Sequence, residues 1–558
     1  MKFKVLIVGG YGTFGGRLVD LLLDRPELVL MVGGRNLAAA TVFCAAREAK
    51  SKAGLVALQV ARDNAAAVLA AHQPDIVVDA SGPFQVYGDD PFGLVKACIA
   101  SGCHYVDLAD GADFVLGISA FDDAAKKAGV FALSGMSSFP VLTAAVGREL
   151  AQDLDEVHSI QAGIAPSPFA GVGLNVIKAI ASYAGGGVDV LVDGQWQKRA
   201  GFFDSRRMQV NVPGKIPLQP LRFALAEVPD LKVLTRLWPS AKTIWMGAGP
   251  TPALLHRVLW LAAGLVKIGV LKSLLPLAPL MSLVVNNLRW GEHRGGLVFE
   301  MTGLKDGKPR CLNWHLLAEG DAGPLIPSMA AASVIVKFIE GHVPAMGARS
   351  GHEDLQLSDY QVWFDRYGIA TGRREANVGG SIYQQALGAA YEKLDKPLQE
   401  FHRKSGSFAM EGKADISNGY GLMAKIVRSV FGFPSARTEC PLTVTIGITD
   451  KGERWERRFN GKRMYSFQQP GRGRDAGLIV ERFGAISVGL AVVENRGRLE
   501  LVPRNWRFLG VPMSNFLLPS GRIFEHGAND RLNFNVEIRL PIVGPVVSYK
   551  GWLTPTTT

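Results

Sequence analysis

Four apolar residues, Val5 to Val8, run into Gly9-Gly10-Tyr11-Gly12-Thr13-Phe14-Gly15-Gly16, and Leu18, Leu21 and Leu22 come next at helical spacing. A strand buried on both faces, a glycine turn and an amphipathic helix, in that order, open a parallel α/β sheet. Glycines here let a diphosphate approach the N–H groups at a helix N-terminus, where the dipole favours negative charge. Gly9, Gly12 and Gly15 fit one spacing of the motif, and Gly10, Gly12 and Gly15 fit another, so the first glycine stays open between two positions. Gly9, Gly10, Gly12, Thr13, Phe14 and Gly15 are the candidate cradle, with a plain structural turn as the alternative.

Beyond the first helix the alternation of strand and helix continues. A second strand over 28–32 ends in Gly33-Gly34-Arg35-Asn36, where an acidic residue would be needed to hold a ribose 2′-hydroxyl. Arg35 suits a 2′-phosphate instead, so Arg35 and Asn36 join the cofactor candidates and NADP is expected over NAD. A solvated arginine in a turn is the plain alternative. Strands over 55–60, 75–79, 104–108 and 130–134, with helices between them, complete a six-stranded doubly wound sheet expected to close near residue 135. The fourth strand leads into Ser81-Gly82-Pro83-Phe84, expected to wall a nicotinamide or ribose at the carboxyl edge of the sheet. The fifth carries Tyr105 and Asp107 on one face and His104 on the other, making Tyr105 and Asp107 the candidates for proton transfer. For each, a satisfied core group is the competing reading.

At 558 residues the chain needs more than one core. Residues 136–368 mix strand and helix signals, an α+β domain suited to substrate binding or dimerisation. Within it, 254–288 is strongly apolar but broken by Lys267, Lys272, Pro276 and Pro279, too short between charges to span a bilayer. It reads either as a helical hairpin lying in a membrane surface or as a buried pair or dimer interface. A polar linker over 369–378 precedes a C-terminal domain, 376–558, with helical signals at 381–404 and then strands over 442–448, 453–459, 478–483, 486–494, 498–508 and 531–540. Their alternation indicates a mainly antiparallel sheet or barrel-like cup.

Composition narrows the classes. The net charge of +11 favours acidic partners such as phosphorylated cofactors or anionic membranes. Five scattered cysteines form neither a disulfide framework nor a zinc site, and no metal is expected. No Ser-His-Asp order and no phosphate loop ending in Gly-Lys-Ser/Thr appears, which removes most hydrolase and NTPase readings. The basic and aromatic stretch 454–474 is read as a solvated hairpin face, and a nucleic acid partner is not expected. The strand beginning within a few residues of Met1 leaves no room for a signal peptide, so a cytoplasmic location is expected, with peripheral contact at the inner membrane surface.

Gly9 to Gly16, Gly33 to Arg35, Asp79 to Phe84, Ala97 to Asp110 and Ser134 to Pro140 resemble the saccharopine dehydrogenase-like oxidoreductases in order and spacing. Stretches at 163–164, 314–327 and 347–360 look like that family's second domain, and the remainder is similar to a C-terminal domain of unknown function found beside reductase-like domains. The resemblance implies an NAD(P)-binding Rossmann domain and hydride transfer. With the apolar 254–288 stretch, it leads to an expected NADP-dependent oxidoreductase acting on a hydrophobic carbonyl, imine or enoyl substrate at a membrane surface, as a homodimer. A non-catalytic nucleotide-responsive protein, whose C-terminal domain carries a lipid or protein partner, is the alternative.

Overall fold

The computed structural model describes residues 2–61, 64–84, 88–249, 253–287, 289–320, 322–376, 379–404 and 406–556. Leu288, closing the apolar stretch, and Asn377 and Val378, closing the expected linker, lie outside them. The chain divides into two compact units, one of residues 1–208 with 221–370 and the other of 209–220 with 371–558.

In the first unit, β1 (Phe3–Val8), β2 (Leu28–Gly34), β3 (Gly54–Gln59), β4 (Ile76–Asp79), β5 (His104–Asp107) and β6 (Phe131–Ser134) run parallel in the order β6-β5-β4-β1-β2-β3. The run Val5 to Val8 is at most 3% exposed, as a strand covered on both faces requires. The helices α1 (Thr13–Leu22) and α2 (Leu37–Glu48) come after β1 and β2, and α1 buries Leu18, Leu21 and Leu22. The sheet does not close at residue 135. A seventh strand, Gly347–Ser350, pairs in parallel beside β6. The helix Ile326–Ile339 also comes back to α1, where Ser328 Oγ donates to Phe14 O at 3.0 Å. Four residues, Gly-Ala-Arg-Ser, carry too little apolar pattern to read as an edge strand, so the seventh strand escapes a local reading.

A mixed sheet completes the unit in the order Ser205–Met208, Leu221–Leu225, Thr243–Ala248, Glu156–Ala165, Arg294–Lys305 and Lys308–Glu319. The apolar stretch forms two helices, Ala253–Lys267 and Ala278–Asn287. These helices and the segment joining them bury Ala263, Leu274 and Ala278 against Ile177 and Ala181 of the helix Leu174–Tyr183. Leu261, Leu280 and Leu283 of the helices, and Ile268 just past the first, are left at 58–70% exposure. Among the described residues no helix is long and apolar enough to cross a membrane.

The second unit holds a closed barrel. Ten antiparallel strands between Ser407–Asn418 and Gly544–Pro555 pair in sequence around a ring, and the ring shuts where Ile486–Asn495 pairs with Arg498–Phe508 and the latter with Ile523–Ala528. Closure removes the sheet edges that an open antiparallel sheet must protect. Alternation sends Trp455, Arg457 and Phe459 inward and Arg454, Glu456 and Arg458 to the outer face. The basic–aromatic stretch is thus divided between the interior and solvent.

Candidate active site

The glycine turn owes its shape to contacts that only glycine allows. Gly9 has φ +78°, and a Cβ on it would lie 2.9 Å from Ala80 O. A Cβ on Gly15 would lie 2.3 Å from Gly9 O, and one on Gly10 2.8 Å from Ile7 O. Both candidate first glycines are therefore needed, Gly9 for its conformation and Gly10 for close packing. The N–H groups of Gly9 and Gly10 donate to Gly33 O at 2.9 Å, and that of Gly12 to Gly9 O at 2.9 Å. These three are engaged in building the turn. The donors facing outward are the first-turn N–H groups of α1, from Thr13 to Gly15, which have no intrahelical acceptor. A backbone cradle closed to side chains and ending in a helix N-terminus fits a dinucleotide diphosphate.

At the end of β2, Arg35 is exposed. Asn36 is the N-cap of α2, its Oδ1 accepting from Ala39 N–H at 3.1 Å. Its own N–H donates to the Tyr11 hydroxyl at 3.0 Å, so Tyr11 fixes the β2 loop against the cradle. Tyr11 stands at a variable position of the glycine motif, so the sequence alone does not single it out.

At the carboxyl edge, Ser81 donates to Asp79 Oδ1 through both its N–H, at 3.0 Å, and its Oγ, at 2.6 Å. This holds the Ser81 to Phe84 turn against the strand end. Gly82 and Pro83 stay half-buried there, whereas Phe84 turns inward against Phe114, ring centroids 5.2 Å apart. Asp107 is 0% exposed, beside Asp79 in register, and its Oδ1 accepts from Ala109 N–H at 2.9 Å and Gly135 N–H at 2.8 Å. It ties together the loops after β5 and β6. Burial pushes its carboxyl up to about 7 despite those bonds. Tyr105 is 1% exposed and packs with Leu94, Cys98 and Ala125 in the core beneath the sheet. The structure places both proton-transfer candidates inside the sheet's own framework.

A feature illegible in the sequence lies over this edge. The segment 166–175 passes above the cradle, with Arg17 Nη2 donating to Ala170 O at 3.1 Å and Gly173 against Thr13. Asn175 Nδ2 donates to Gly82 O at 2.6 Å. The helix Leu174–Tyr183 thus starts at the β4 turn, and at its far end Tyr183 takes the Glu227 backbone N–H as partner and faces the charges of Asp110 and Glu227. Burial, aided by both carboxylates, raises the Tyr183 hydroxyl, and burial likewise raises the Glu227 carboxyl. No motif links Asp110, Tyr183 and Glu227, which only the tertiary fold assembles. Among the described residues no group of three metal-ligating side chains converges.

Residues 5–133 match the family model described as the saccharopine dehydrogenase NADP binding domain. The N-terminal part of the chain is a domain of that family. With this domain the chain is an NAD(P)-dependent oxidoreductase. Residues 394–553 match a domain of unknown function, DUF4166. No curated protein matches the chain. Among solved structures, a probable dehydrogenase from Thermotoga maritima is 10% identical, covering 66% of this chain and 98% of its own, with a TM-score of 0.33. The WlbA (WbpB) dehydrogenase from Thermus thermophilus, in complex with NAD and α-ketoglutarate, is 11% identical, covering 64% and 94%, with a TM-score of 0.29. Likenesses this slight carry no argument.

Proposed function

We propose that the first unit is an NADP-dependent reductase of a hydrophobic carbonyl, imine or enoyl substrate, working at a membrane surface. One observation supports the substrate class above all. The helix Leu174–Tyr183, which runs from the Gly82 wall to the Asp110–Glu227 cluster, packs its other side on the apolar hairpin whose outer face is exposed. Asn286 strengthens that link, its side chain exchanging hydrogen bonds with Val172 N–H and O at 3.0 Å each. A lipophilic molecule resting against the hairpin lies one helix away from the reacting edge.

NADP, when bound, supplies or accepts the hydride. The first-turn N–H groups of α1 hold its diphosphate, Arg35 selects its 2′-phosphate, and Ser81, Gly82 and Pro83 wall the edge. Tyr183 and Glu227 handle the proton, the raised carboxyl of Glu227 being better matched to neutral pH than an ordinary glutamate. Asp107 and Tyr105 keep the framework in place. Oxidation of NADPH in the presence of extracted membrane lipids tests this. Tyr183→Phe and Glu227→Gln are each expected to lower kcat about a hundredfold with NADPH affinity retained. Full turnover in both variants would overturn the proton assignment, and no lipid-dependent oxidation with NADPH bound would overturn the substrate class.

A further inference from the structure

The two ends of the C-terminal barrel differ. At the end bearing the turns 450–451, 496–497 and 529–530, the segment 382–403 packs into the opening and buries Tyr383, Leu387, Leu394, Leu398 and Phe401 in the barrel core. Asp395 pins it there, accepting from Gly527 N–H at 2.8 Å while its own N–H donates to Gly497 O at 2.9 Å. This end is plugged.

The opposite end is built from 419–436, 460–461, 484–485, 508–522 and 541–543, which join the strands there. Among the described residues, every large apolar side chain exposed in this unit except Tyr465 belongs to that rim, including Leu422 at 71%, Val430 at 72%, Phe516 at 76% and Ile542 at 90%. Those segments contain Lys425, Arg428 and Arg522 and no acidic residue. An apolar rim with only positive charge is complementary to an anionic bilayer surface.

Behind the rim lies a cavity of about 180 Å³, walled near the mouth by Val427, Phe431, Phe483 and Ile538 and deeper by Val444, Leu490 and Leu501. It is somewhat larger than an apolar cavity of about 150 Å³ that takes up benzene. Most of its polar groups hold one another within the wall. Arg457 meets Glu481 at 3.4 Å and Ser466 Oγ at 2.8 Å, Tyr383 donates to Gln468 Oε1 at 2.8 Å, and Glu525 meets His402 at 2.8 Å. Glu537, nearer the mouth, has Arg539 at 3.4 Å. A ligand with a full charge would have to compete with wall groups that already hold one another, Arg457 above all being paired with Glu481, whereas a hydroxyl or carbonyl can share the wall's hydrogen bonds.

We propose that the barrel is a binding cup for an uncharged lipophilic molecule, an alcohol, aldehyde or ester, taken from a bilayer surface on which the apolar, basic rim rests. The cavity accommodates an apolar body of about six to eight carbons, and a longer tail would leave through the mouth.

Calorimetric titration of the full chain with 1-octanol, octanoate and octylamine near neutral pH tests the cup. Octanol is expected to bind at least about tenfold more tightly than either ion. Leu490→Trp, which fills the cavity, should weaken octanol by about tenfold while the protein stays folded, and Val488→Phe serves if that variant does not fold. Absent octanol binding, binding indifferent to the filling variants, or tighter binding of either ion would overturn the assignment. For the rim, flotation with phosphatidylcholine–phosphatidylglycerol vesicles is measured in a Leu261→Ser/Leu283→Ser background, which removes the hairpin's contribution. Adding Val430→Ser/Phe516→Ser is expected to abolish the remaining flotation and leave octanol affinity unchanged. Flotation that persists unchanged, or that was absent before the rim was altered, would overturn the bilayer as the source.

Discussion

Gly15 has the least room of the cradle residues, since its missing Cβ would sit 2.3 Å from Gly9 O. Gly15→Ala must push the turn away from α1, and NADPH affinity is expected to fall by at least about tenfold, read by nucleotide fluorescence. Asp107 makes a different kind of statement. Its carboxyl, raised to about 7 by burial, binds its proton more tightly folded than unfolded, where an aspartate titrates near 3.9. The stability it contributes is therefore fully present below about pH 4 and is lost as pH rises through about 7. Thermal melts between those limits should show the wild type losing more stability with rising pH than Asp107→Asn, whose side-chain oxygen can still accept from Ala109 and Gly135. Parallel pH profiles would remove this role.

Among the elements, those with a strong local signal are legible in the sequence and those completed by distant partners are not. The buried run of β1 and the stripe of α1 declare themselves, as do most barrel strands, whose inward positions alternate. Ser407–Asn418 escapes a sequence reading because Glu411, Lys413 and Asp415 face outward among small residues, diluting the apolar alternation that gives its inner face Met410, Ala414 and Ile416. The stretch Ala370–Glu375, expected as a linker, is extended strand. Of the residues proposed for the site, the glycine turn, Arg35 and the Ser81 to Phe84 turn are visible in the sequence, while Asn175, Tyr183 and Glu227 come from segments with no motif of their own. Tyr105 and Asp107, chemistry-bearing types at a strand end, are legible as titratable groups, but their burial is set by the packing around the sheet and not by any local pattern. The hairpin of helices 253–267 and 278–287 can be tested as an element. Leu261→Ser with Leu283→Ser, at 60% and 62% exposure, should cost little stability and reduce co-flotation with anionic vesicles several-fold, NADPH affinity being unchanged. If the pair instead alters only the sedimentation coefficient, the face is a contact between copies.

For the whole molecule, the net charge of +11 suits both a phosphorylated cofactor and an anionic surface; the nucleotide cradle lies in the first unit, and each unit carries an exposed apolar face, the hairpin in the first and the barrel rim in the second. Everything assigned to the first unit depends on what the cradle holds. Titrations of the full chain with NADPH and NADH, repeated on Arg35→Ala, address that most directly. NADPH is expected to bind at least about tenfold more tightly than NADH, with the variant losing that advantage and keeping its affinity for NADH. Equal affinities in the unaltered protein, or a preference that survives the loss of Arg35, would contradict it.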